Sequence, residues 1–108
     1  MTSMIKIPAE EISVSTYGGD TGTNVIARKV GNVITVTGMW IYNNITMLSL
    51  SGLPRSSPIG DGFGLLLRDQ SDGSIFTGWS NGSTAVILQS VAPASGHRLG
   101  FTYSYVAD

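Results

Sequence analysis

The chain has 108 residues, a formal net charge of −1 and no cysteine, and 42% of its residues are apolar while only 12% are charged. That length supports one domain with a modest core, and the charge balance offers no electrostatic footprint for nucleic acid or for insertion at an anionic membrane. The missing cysteine excludes disulfides, thiolate nucleophiles and zinc–thiolate centres.

The charged share is about half of that usual in soluble domains. Too few ionic groups are present to coat a lone domain, so the composition predicts that another chain, most simply a second copy, covers part of the apolar surface. The basic residues Lys6, Arg28, Lys29, Arg55, Arg68 and Arg98 are scattered. Apolar runs such as residues 65–67 are too short to span a bilayer.

Taken in chain order, residues 1–22 read as an N-terminal arm or neck, with EISVST at 11–16 a candidate strand. Residues 23–108 read as an antiparallel β-barrel or sandwich head. TNVIARKV (23–30) and VITVTGMWI (33–41) are β-branched runs separated by Gly31 and Asn32, which predicts a tight hairpin. LSGLPRSSPIGDG (50–62) holds Pro54 and Pro58. Proline lacks a ladder donor, so this piece is expected to be a Greek-key-like crossover. The remaining predicted strands are 62–68, 74–79, 84–91 and 98–106, with Asp72-Gly73 and Asn81-Gly82 closing two further hairpins.

Candidate chemistry is sparse. His97, the one histidine, sits in ASGHRLG ahead of the last strand, as an exposed loop residue or a sugar contact. The spacing of Asp69 and Asp72 in DQSDG suits side chains that cap their own turn amides. A glycoside-cleaving pair built on either aspartate would need a second catalytic group. Trp40 lies within a long alternating strand and is expected in the core. Trp79 follows Gly78 and precedes a turn, a setting that leaves its flat apolar face available to a sugar ring. Tyr103 and Tyr105 share a face with Leu99 and Phe101, as core or subunit interface.

The order of these features resembles the C-terminal head domain of tail-tip receptor-binding proteins of siphophages that infect lactic acid bacteria and related Gram-positive hosts. The features are VGNVITVTGMW, LSGLPRSSP, a strand running into DQSDGSI, and a last strand ending in TYSYV. The resemblance covers roughly residues 23–108 and rests on the order of hairpins. It implies a homotrimeric β-barrel head at the distal tip of a virion tail, in contact with other tail or baseplate proteins. It also implies recognition of host cell-wall saccharide without catalysis, cofactor or metal. Family heads bind sugar in a cleft between protomers, through an aromatic, a histidine and an acidic residue around the hairpin corresponding to 63–79. The residues carried over here are Trp79, Arg68, Asp69 and His97. The chain departs from the family at Leu66 and Arg68, where members often carry histidine and aspartate. The alternative is a structural tail or decoration module that serves trimerisation only.

Overall fold

The computed structural model describes residues 9–57 and 62–108. Its elements are β1 (Glu10–Ile12), β2 (Ser15–Tyr17), β3 (Asn24–Val30), β4 (Val33–Ile41), β5 (Met47–Ser51), β6 (Phe63–Asp69), β7 (Ile75–Ser80), β8 (Ala85–Leu88) and β9 (Arg98–Val106). All nine belong to one curled antiparallel sheet, a half-barrel, in the order β1-β3-β4-β9-β6-β7-β8-β5-β2. The expected all-β architecture is present, and none of the described residues is helical.

Alternation explains the curl. In β4 and β9 every second residue is buried, so Ile34, Val36 and Trp40 face Leu99, Phe101, Tyr103 and Tyr105 across one inner surface. Each fully buried aliphatic or aromatic side chain of this kind contributes about 1.5–3 kcal/mol. Trp40 is in the core as expected, edge-on to Tyr42. Both C-terminal tyrosines are core residues whose hydroxyls reach backbone carbonyls, Tyr103 to Gly82 and Tyr105 to Pro54. Burial pushes both phenols up to about 12.

The hairpins fall where the sequence places them. Val30 pairs with Val33, leaving Gly31 and Asn32 as a two-residue loop. Only Gly31 takes a positive φ, 59°, as the first central residue of a type II′ turn requires. The strand expected at 84–91 spans only Ala85–Leu88, that expected at 11–16 is split into β1 and β2, and two larger boundaries also differ from expectation. MLSLS at 47–51 forms β5, so the crossover begins after Ser51; only Leu48 and Leu50 of that strand face inward, a signal too short to stand out beside Pro54. The second concerns the arm assigned to residues 1–22. Within it, β1 pairs with β3 and β2 pairs with β5, so this short stretch supplies both edges of the sheet.

The crossover also has a structural role. β6 and β9 share only two register pairs, Arg68 with Gly100 and Asp69 with Leu99, and then diverge. Phe63 packs on Tyr103 in the resulting gap, and Ser56 in the crossover bridges to Ala107 beyond the end of β9. Pro58, also expected in the crossover, lies outside the described residues.

Candidate functional site

β6 runs into its turn with Arg68 and Asp69 on opposite faces, because successive strand residues alternate. Asp69 points inward and is fully buried, while Arg68 points outward. The connection to β7 is pinned by the Asp69 amide on the Ser74 carbonyl and by the Gly73 amide on the Asp69 carbonyl. Both aspartates also cap turn amides: Ser71 donates to Asp69 Oδ1 and Ser74 donates to Asp72 Oδ1, each at 2.8 Å. This is the turn chemistry expected of DQSDG.

What the sequence does not display is the second partner of Asp69. The loop before β9 returns alongside Tyr42, whose amide donates to the His97 carbonyl and whose carbonyl accepts from Gly96. That anchoring sets His97 Nδ1 2.6 Å from Asp69 Oδ2. Burial alone would raise the Asp69 pKa. The hydrogen bonds from His97 and the Ser71 amide, with the electrostatic pull of the imidazole, outweigh burial and hold the carboxyl below the ordinary aspartate range. The ionised carboxylate therefore accepts a hydrogen bond from Nδ1–H and fixes the ring of a half-buried side chain.

Asp69, Asp72 and His97 each offer a ligand atom within 4.8 Å of the others. Both Asp69 oxygens are nevertheless engaged inside the chain, so the trio as it stands is a hydrogen-bonded cluster around one oriented imidazole. Among the described residues no hydroxyl is hydrogen-bonded to His97 Nε2.

Arg68 belongs to a different surface. It stands opposite Ile75 and Gly100 on the outer face. There it borders a groove of about 390 Å³ lined by Thr37, Met39, Leu66, Gln70, Ile75 and Thr102. Trp79 is elsewhere again. It lies at the far end of the β6–β7 hairpin from Arg68, opposite Gly64 on one side and Ile87 on the other, half-buried on the outer face. A side chain at Gly62 would approach its Cζ2 to 3.0 Å, so the indole rests against bare backbone.

The four expected contact residues thus fall into three places within one chain. Asp69 and His97 come together, with Asp69 positioning the imidazole rather than meeting a ligand. Arg68 lies on the reverse face, and Trp79 lies about 13 Å along the hairpin, four strand positions away. Gln70, beside Arg68 in the groove, is an addition that turn chemistry gave no reason to single out.

Comparison with protein-family models, with curated proteins and with solved structures finds no match.

Proposed function

We propose that the chain is a saccharide-recognising head, carried as a homotrimer at the distal tip of a siphophage tail beside other tail or baseplate proteins. In this reading it binds host cell-wall polysaccharide without catalysis or cofactor. The observation that carries the reading is Trp79. An outward indole, with its Nε1 and Cζ2 side seated against the Gly62 backbone and its strand neighbour Ile87 beside it, offers flat apolar surface, the chemistry that stacks on the C–H face of a sugar ring. Binding without turnover agrees with Asp69, whose two oxygens are already satisfied and whose neighbour His97 has no hydroxyl to activate among the described residues.

The test is calorimetric titration of the purified protein with cell-wall polysaccharide fractions of Gram-positive hosts. Wild type is expected to bind at least one fraction, and Trp79→Ala to weaken that binding by about tenfold, the loss of one aromatic stack. Failure to bind any fraction would remove the reading.

A second reading, a structural tail or decoration module, is favoured by the outer-face groove. Leu66 and Ile75 beside it are 63% and 57% exposed, and such apolar surface suits contact with a second copy. This module would form the oligomer and bind no sugar.

A further inference from the structure

Strands β7, β8, β5 and β2 contain no aspartate, glutamate, lysine or arginine, whereas β1, β3, β6 and β9 each carry at least one. These four strands are consecutive in the sheet, and the remaining uncharged strand, β4, lies apart from them between β3 and β9. Their outward side chains form two neighbouring cross-strand rows. One row is Trp79, Ile87 and Met47. The next is Ser49 and Tyr17, in register with Ala85, which is itself buried. Tyr17 is 81% exposed and Met47 45% exposed. A charge-free sheet face therefore has an aromatic plate at each end and an aliphatic floor between them.

We propose that this face is a binding track for a neutral polysaccharide chain, laid across the strands from Trp79 to Tyr17. The proposal rests on the saccharide-binding reading of Trp79 and adds the length and charge class of the ligand and a second contact residue. Spacing supports it. Three strand intervals separate the two aromatics, about 14 Å across the sheet, with a further offset of about 7 Å along the strands. Sugar rings repeat along a chain at close to one strand interval, so about four rings reach from one plate to the other.

Charge selects the class. An anionic chain would give up hydration on a face whose strands supply no cation to replace it, whereas a neutral chain carries no such penalty. Thr77 beside the first row and Ser49 within the second, both outward, offer hydroxyls that donate to or accept from ring hydroxyls. Curvature selects further. The face lies on the convex side of a curled sheet, so a flexible chain can follow it while a rigid flat ribbon would touch it over one short stretch only.

The experiment is a microarray of neutral and anionic bacterial and plant glycans graded by chain length, followed by calorimetry on the best ligand and on its own disaccharide. The proteins are wild type, Trp79→Ala, Tyr17→Ala and Tyr17→Phe. Neutral chains of four or more rings are expected to outbind their disaccharides by about tenfold, the weight of one added stack. Tyr17→Ala should abolish that gain and leave the disaccharide unchanged, Tyr17→Phe should retain it, and Trp79→Ala should weaken both. Equal affinity for disaccharide and longer chains, or indifference to Tyr17→Ala, overturns the track while leaving the Trp79 reading intact. Binding confined to anionic glycans overturns the charge class and with it the track. Binding to no glycan overturns both.

Discussion

Asp69 is the residue on which the turn end of the molecule depends. It is fully buried, it is ionised, and its two oxygens hold the Ser71 amide and the His97 ring. Hydrogen bonds to charged groups contribute about 1.5–3 kcal/mol, so Asp69→Asn is expected to lower unfolding free energy by that order in urea titrations at pH 7. The sign of the pH dependence follows from the lowered pKa. The folded state holds its proton less tightly than the unfolded chain. The contribution is therefore complete above the ordinary aspartate value of about 4 and is lost as pH falls through the folded value. Wild type should lose stability on that acid limb, and Asp69→Asn should show a flatter one. Identical slopes in the two proteins would mean that the carboxylate is not what the fold protonates there.

At the scale of elements, β7 and β8 lie close because Gly78 faces the core with no side chain. A Cβ there would come within 2.6 Å of the Leu67 Cδ1 and 2.9 Å of the Ile87 carbonyl oxygen. A leucine methyl can move aside, but a ladder carbonyl moves only with its strand. Gly78→Ala is therefore expected to cost about 1–3 kcal/mol as overpacking, lowering the thermal midpoint by several degrees in a domain of this size. An unchanged midpoint would show that β8 shifts freely. The hairpins themselves were legible because their signals are local: Gly31 with Asn32, and Asp72 with Gly73, sit between alternating runs. The two aspartate caps were legible for the same reason. The Asp69–His97 pair spans 28 positions and depends on which loop returns beside β6, which no local spacing encodes. Tyr17 was obscured similarly. Only the closure of both sheet edges by residues 10–17 places it three strands from Trp79.

For the whole molecule, the question is how so few charges keep the chain in water. The outer face divides the work: the β7-β8-β5-β2 stretch carries Trp79 and Tyr17, while the groove beside Leu66 and Ile75 lies at the turn end of the β6–β7 hairpin, against β4 and β9. That groove suits a ring in which its face on each copy meets the next copy, a heterologous contact that closes at a small number of subunits and leaves the Trp79–Tyr17 face outward. Stable contacts of this kind bury about 800 Å² per partner, more than two side chains supply, so the rest of that face must take part. Sedimentation is expected to give three times the 11.4 kDa chain at micromolar concentration. Leu66→Asp should return the single-copy mass with the thermal midpoint little changed, because the side chain is already mostly in water in the single chain. Such a variant would keep its affinity for a free oligosaccharide but lose roughly a hundredfold or more on whole cells, since linked sites gain that order from multivalency alone. Wild type sedimenting as a single copy would remove both the trimer and the avidity that depends on it.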